Sequence, residues 1–289
     1  LKLEALWLVL VSASFHALRD YLIKRATTKL LFLSWYRLCA LVILLPFFFQ
    51  RLALPITPAT WVYLLVRSAL DAAYIYTLAG AYEEGDLSLV YPIARSAPIF
   101  VLVWSTLVWH QPLPPAGIVG ILVVAFGAYV LQLRGLSARA LAAPVRAILR
   151  SRAIRLGWIT ALLVAANSLI DDHVVEVVDP VVYLFIFVGI SSVLYVPYLF
   201  RCGWPSIRDE WQAHWKHILP AAVLGAGGYL LALLAFRIEH VGYVTALRQA
   251  SIIFGVLLGT ILLREPYGRV RIVGSLVMFA GMILIFALG

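Results

Sequence analysis

Val90-Tyr91-Pro92-Ile93-Ala94-Arg95, running on to Trp109-His110-Gln111-Pro112, has a second copy in the chain. The copy is Val244-Thr245-Ala246-Leu247-Arg248-Gln249, running on to Leu263-Arg264-Glu265-Pro266. Each is a hydrophobic run with an arginine in its first third, closed by a polar residue and proline. The likeness continues without a gap, because Ile118-Val119-Gly120 and Gly127 return as Ile272-Val273-Gly274 and Gly281. The offset is 154 positions throughout (Val90 to Val244), and only the arginines fall one place out of step, Arg95 aligning with Gln249. A fixed offset of this kind is an internal repeat, and this one carries a charge in its most apolar part.

Working outward, composition says where such a repeat can live. The 289 residues are 63% hydrophobic and 13% charged, with a mean hydropathy of +0.97; ordinary soluble domains are roughly 45–50% apolar and 25% charged. This is the composition of an integral membrane protein. Charge is too sparse for a large soluble catalytic domain. The net charge of +9 does not point to nucleic acid, because the basic residues lie between hydrophobic spans, where Lys and Arg mark the cytoplasmic side. Cys39 and Cys202 stand at no metal-ligand spacing and read as small apolar fillers. The early run Leu6-Trp7-Leu8-Val9-Leu10 passes directly into a polar-studded helix and reads as a first span, not a cleavable leader.

A span needs about 20 mostly apolar residues, and ten segments qualify: about 4–24, 30–50, 59–82, 87–109, 114–134, 156–176, 181–200, 217–238, 241–263 and 269–288. Most connections are short and marked by Pro or Gly. The exception, 135–155, carries Arg139, Arg146, Arg150, Arg152 and Arg155 and reads as a basic amphipathic linker on the membrane surface. It divides a first repeat, 1–134, from a second, 156–289. Asp20 and Pro46 meet Asp171 and Pro197 at an offset of 151, so the repeat covers both halves. Five spans per repeat is an odd number, and the second copy must insert upside down. Inverted repeats are a recurring transporter architecture, since they supply two nearly equivalent arrangements across the bilayer. The fold expected is therefore an all-α membrane protein of ten transmembrane helices, built as two inverted five-helix repeats. The basic loops share one side, which positive-inside bias makes cytoplasmic, with both termini outside. Gly120 with Gly127, Gly274 with Gly281, and the Gly255-to-Gly259 GxxxG pattern are candidate close-packing surfaces.

Ionisable groups inside the spans cost about 2.5–3.5 kcal/mol each on insertion scales and so call for a reason. Asp71 lies near the middle of the third span, roughly 16 Å from either end, and its repeat equivalent is Gly225, so it breaks the symmetry. Arg67 precedes it by one turn and is a candidate partner; such a pair is either a structural lock or part of a substrate or proton site. Asp20 and Arg95 lie near the cytoplasmic ends of the first and fourth spans, Asp171 and Arg248 at corresponding depths toward the outer side. Asp20 with Arg95 and Asp171 with Arg248 are expected as alternative gate contacts, against the plainer reading that the aspartates snorkel to the loops. His16 and Asn167, each one turn before an aspartate, extend polar stripes inward. Tyr74, Tyr76, Tyr82, Tyr91, Tyr183, Tyr229 and Tyr243 add hydroxyls. Pro92 and Pro98 are expected to bend the fourth span more than the ninth, which lacks both.

These residues resemble the EamA type of the drug/metabolite transporter superfamily. The resemblance covers essentially the whole chain and rests on Ser14-Phe15-His16-Ala17 through Asp20 and Lys24-Arg25, on Gly85-Asp86-Leu87-Ser88-Leu89-Val90-Tyr91-Pro92-Ile93-Ala94-Arg95, and on Leu263-Arg264-Glu265-Pro266 before a last span containing Gly274. A Trp-Asn pair often occupies the family's positions of Arg19-Asp20, and a Gly-Glu precedes the proline where this chain has His110-Gln111. The resemblance implies a central cavity lined mainly by the third, fourth, eighth and ninth spans with the first and sixth, and substrates ranging over amino acids, metabolites, nucleotide-like compounds and cationic drugs.

The expected function is alternating-access transport of a small polar organic solute, zwitterionic or anionic, in a bacterial inner membrane. Substrate binding is expected at Asp71, Arg95, Arg248, Tyr74, Tyr91, His16 and Asn167, and gating or proton coupling at Asp20, Asp171 and Arg67. Proton coupling becomes an option if one of the aspartates is protonated in one state. Partners are the solute, membrane lipid and protons, with no nucleic acid; the chain is a monomer or homodimer. No catalytic residue, metal ligand or cofactor is expected, and no ATP-binding P-loop is present. A lipid or lipid-linked-sugar flippase is the alternative within transport, and an intramembrane enzyme the alternative outside it.

Overall fold

A computed structural model of the chain describes residues 2–23, 25–52, 56–84, 96–110, 113–131, 151–254 and 269–288. Among these residues ten helices follow in order: α1 (Leu3–Ile23), α2 (Lys29–Arg51), α3 (Pro58–Glu84), α4 (Ala97–Leu107), α5 (Pro115–Leu131), α6 (Arg152–Val175), α7 (Pro180–Val193), α8 (Val196–Phe236), α9 (Val241–Leu247) and α10 (Arg269–Leu288). No strand occurs among the described residues. α1, α2, α6 and α8 are by themselves long and apolar enough to cross a membrane, and α4, α5, α7 and most of α10 are shorter apolar helices. The surface is what lipid requires: Trp7, Phe49, Leu107 and Phe200 are exposed, while alanines such as Ala13, Ala165, Ala222 and Ala246 are buried. With lipid outside, small residues inside let helices approach closely and large apolar ones face the acyl chains.

Local chemistry sets the helix ends. Asp179 caps α7, its Oδ1 accepting from the Val181 N–H at 2.9 Å, with Pro180 preset for the first turn. His240 caps α9 through Nδ1, which accepts from the Gly242 N–H at 3.0 Å. At the start of α2 the cap comes from another helix: Glu210 of α8, buried, accepts the N–H groups of Thr27 at 3.2 Å and Thr28 at 2.9 Å. These are donors that a helix N-terminus cannot satisfy internally.

The packing obeys one exchange rule. α1 packs on α8 and α6 on α3; α2 packs on α8 and α7 on α3; α4 packs on α6 and α9 on α1. Each of these pairs becomes the other when the first five helices are exchanged with the last five. α5 and α10 meet each other, and their glycines show the sense of the exchange. A Cβ at Gly127 would stand 2.5 Å from the Met278 backbone nitrogen and 2.9 Å from the Gly274 carbonyl. One at Gly281 would stand 2.6 Å from the Val124 nitrogen and 2.9 Å from the Gly120 carbonyl. Numbering rises along α5 as it falls along α10, so the two are antiparallel. Gly120 meets Gly281 and Gly127 meets Gly274, and these are repeat equivalents swapped, which is how a two-fold axis writes a self-complementary contact. The fifth helix of one half runs against the fifth of the other, and the halves are inverted.

Three details depart from the spans read in sequence. The seventh span, read as 181–200, is helical only to Val193 before the chain restarts at Val196. The stretch between the seventh and eighth spans is not a loop: after a kink at Gly203 (φ 75°) helix runs to Phe236. Glycine serves there because a side chain is strained at that φ. The Trp204–Lys216 part of this helix is anchored by the Trp35 indole, which donates to the Ile207 carbonyl at 2.9 Å and lies 4.8 Å from the Trp211 ring. The ninth span, for which no break was expected, is interrupted: α9 stops at Leu247, and 3₁₀-type bonds from Gln249 N–H to Ala246 and from Ser251 N–H to Arg248 carry the chain past the break. The Gly85–Arg95 stretch, most of the linker, and the Gly255-to-Gly259 and Glu265-Pro266 patterns lie outside the described residues.

Candidate functional site: a buried ladder of charges

Four charged side chains of alternating sign line up between α2, α3 and α6. Arg37 of α2 donates through Nη2 to Asp71 Oδ2 at 2.5 Å and through Nη1 to Ser191 Oγ of α7 at 2.6 Å. The other Asp71 oxygen lies 3.4 Å from Arg67 Nη1, one turn back on α3. Arg67 Nε donates to Asp171 Oδ1 of α6 at 2.7 Å. Two tyrosines complete that end: Tyr183 of α7 donates to Asp171 Oδ1 at 2.6 Å, and Tyr229 of α8 donates to Asp171 Oδ2 while accepting from Arg67 Nη2 at 2.6 Å. The arginines also lie over aromatic rings, Arg67 at 4.3 Å from Phe187 and Arg37 at 5.2 Å from Tyr195.

Burial decides what this ladder is worth. The Arg67 and Asp171 side chains are 2% and 1% exposed. Ions this far from water are tolerated only when paired, and two arginines against two aspartates leave the ladder neutral. Such a network fixes the relation of five helices drawn from both repeats: α2 and α3 from the first, α6, α7 and α8 from the second.

Asp20, the repeat equivalent of Asp171, is set differently. Among the described residues it bonds within its own helix: Arg19 Nη2 donates to Asp20 Oδ1 at 2.7 Å, Arg19 Nη2 and His16 Nε2 are 3.1 Å apart, and His16 Nε2 lies 3.4 Å from Asp20 Oδ2. Its side chain is 37% exposed. The positions matching Arg67, Tyr183 and Tyr229 are Ala221, Phe32 and Ile75, all buried. Among the described residues, the arginine and two tyrosines that hold Asp171 therefore have only apolar equivalents around Asp20.

The expected site residues are therefore distributed as follows. Asp71, Arg67 and Asp171 come together. In this state Asp171 is held by Arg67 and the two tyrosines, and Arg248 sits beyond them with its guanidinium 5.3 Å from the Tyr229 ring. Arg248 is the residue at which α9 breaks. Asn167 is buried one turn before Asp171, with no hydrogen-bond partner for its Oδ1. Thr245, on α9 three residues before Arg248, is likewise buried with its hydroxyl unpartnered; α6 and α9 pack together. Tyr74 is half-buried against Ala72, Ile75 and Tyr195. His16 and Asp20 form the separate group with Arg19. Arg95 and Tyr91 lie outside the described residues, and the Asp20–Arg95 contact with them.

Arg37, Arg19 and Ser191 belong to these networks and were not singled out by sequence. Arg37 had a signal: like Asp71 it is a charge without a charged equivalent, facing Val188 at the offset of 151.

Helices in two inverted sets of five around buried ions define a membrane transport protein of the inverted-repeat class. The sequence matches the EamA-like transporter family over residues 3–133 and again over 151–287, and the chain belongs to that family, a multi-pass membrane protein of the drug/metabolite transporter type. A solved crystal structure shares the fold with a TM-score of 0.75 at 14% identity, over 99% of each chain. No curated protein matches the sequence.

Proposed function

We propose that this chain is a secondary transporter of a small zwitterionic or anionic organic solute, working by alternating access in a bacterial inner membrane. The observation that carries the reading is the pair of buried, unpartnered polar atoms, Asn167 Oδ1 on α6 and Thr245 Oγ1 on α9, on helices that pack together beside the break at Arg248. Arg248 stands there as the anion receptor, able to take a carboxylate through two parallel N–H donors. The buried, unpartnered Asn167 Oδ1 is an acceptor for an ammonium N–H, and the Thr245 hydroxyl can serve either group. Interrupted membrane helices are where transporters of this general kind hold charged substrates, because the break frees backbone polar groups beside them. Asp71 is the less suitable amine receptor in this state, since both of its oxygens face arginines.

The ladder that holds Asp171 supports an alternating mechanism. With the basic loops placed in the cytoplasm, the Asp171 end is the outer gate, closed by the ladder, and the Asp20 end is the inner one. Opening outward would part Arg67 from Asp171, and protons are the candidate coupling ion. The test is uptake of labelled amino acids, organic acids and amines into liposomes containing the purified protein, with and without a pH gradient. Saturable uptake of a zwitterion or carboxylate, lost in Arg248→Gln, is expected. Movement of labelled lipid between leaflets in place of any solute would establish the flippase reading instead.

A further inference from the structure

Asp171 and Asp172 are neighbours that face different worlds. A step of 100° around α6 turns Asp171 into the ladder and Asp172 into a cleft of about 250 Å³ lined by Trp109, Asp172, His173 and Glu176. The cleft lies at the end of the bundle away from the basic loops, just beyond α4. Asp172 is 6% exposed, yet among the described residues no hydrogen bond or ion pair holds its carboxylate. The charges that act on it, Glu176 one turn on and Asp171 beside it, are both negative. The wall is aromatic: the His173 ring lies 4.9 Å from Tyr63 of α3 and 5.8 Å from Trp109.

We propose that this cleft is a second binding site, separate from the α6–α9 lining, and that it takes an organic cation of the ammonium class. Two carboxylates with no counter-ion attract positive charge, and an indole beside them adds the face that ammonium groups prefer. Metal ions fit poorly: among the described residues no three His, Cys, Asp or Glu side chains converge to hold one. A bulky cation needs no such convergence, because its charge is spread over its surface.

The probe is tetramethylammonium, titrated calorimetrically into the purified protein in a maltoside detergent, with tert-butanol as a neutral control of similar size. Saturable binding of the cation and none of the alcohol is expected. Affinity should fall at least tenfold in Asp172→Asn and severalfold in Glu176→Gln and Trp109→Ala. Glu176 is exposed, so Glu176→Gln reports even if Asp172→Asn fails to fold. No saturable binding to the unaltered protein, unchanged affinity in the folded Asp172→Asn and Glu176→Gln variants, or calcium binding through these residues in place of the ammonium ion would each overturn the proposal. Because the readout is binding, it stands or falls independently of which solute the protein transports.

Discussion

Arg67 is where the chemistry of the molecule is concentrated: it touches Asp71, Asp171 and Tyr229 and lies over Phe187. Removing one partner of a buried ion pair leaves the other charge stranded and costs about 3–5 kcal/mol, whereas replacing both by apolar groups of similar size is often close to neutral. Arg67→Ala should therefore lower the thermal unfolding midpoint in detergent markedly, and Arg67→Met combined with Asp171→Met should restore most of it. A double variant as unstable as the single would show that the pair is not acting as a unit. Tyr229→Phe deletes one hydroxyl that bonds two charged groups; hydrogen bonds of this type contribute about 1.5–3 kcal/mol each. It should fall between the unaltered protein and Arg67→Ala in the same measurement.

At the scale of elements, the seam between α5 and α10 depends on glycine because backbone meets backbone. Gly127→Ala would drive a methyl into the Met278 amide, and overpacking of this kind costs about 1–3 kcal/mol. Gly189→Ala is the matched control, since its nearest obstacle is the end of the Leu41 side chain at 3.9 Å. A drop in thermal midpoint for Gly127→Ala with none for Gly189→Ala is expected; equal effects would mean the seam is looser than the contacts state. The seam is also where the sequence was most legible, because Gly120, Gly127, Gly274 and Gly281 announce the repeat and its packing together. Two features were hidden for physical reasons. The helix from Trp204 to Lys216 alternates charge with tryptophan and looks like a loop to any count of apolar residues, yet Glu210 buries itself to cap α2. The break at Arg248 has no proline to mark it; polar Arg248 and Gln249 are its only trace in the sequence. Glu210→Gln should weaken the α2 cap, making the amides of Thr27 and Thr28 exchange faster with solvent while those in mid-α2 are unchanged.

For the whole molecule, the inverted halves are symmetric in backbone and asymmetric in charge. Sequence could find Asp20 and Asp171 as equivalents, and Arg67 and Asp71 as neighbours, since these follow from offset and helical spacing. It could not bring Arg67 to Asp171, because that contact joins α3 to α6 across the repeat boundary and only the packing of opposed halves creates it. The account turns on this contact being moving machinery and not scaffold. The most direct measurement is the initial rate of solute uptake into liposomes by the variant combining Arg67→Met with Asp171→Met, compared with the unaltered protein at equal amounts of folded protein. The account predicts uptake reduced to the level of protein-free liposomes even though the variant is stably folded. Uptake close to that of the unaltered protein would contradict it.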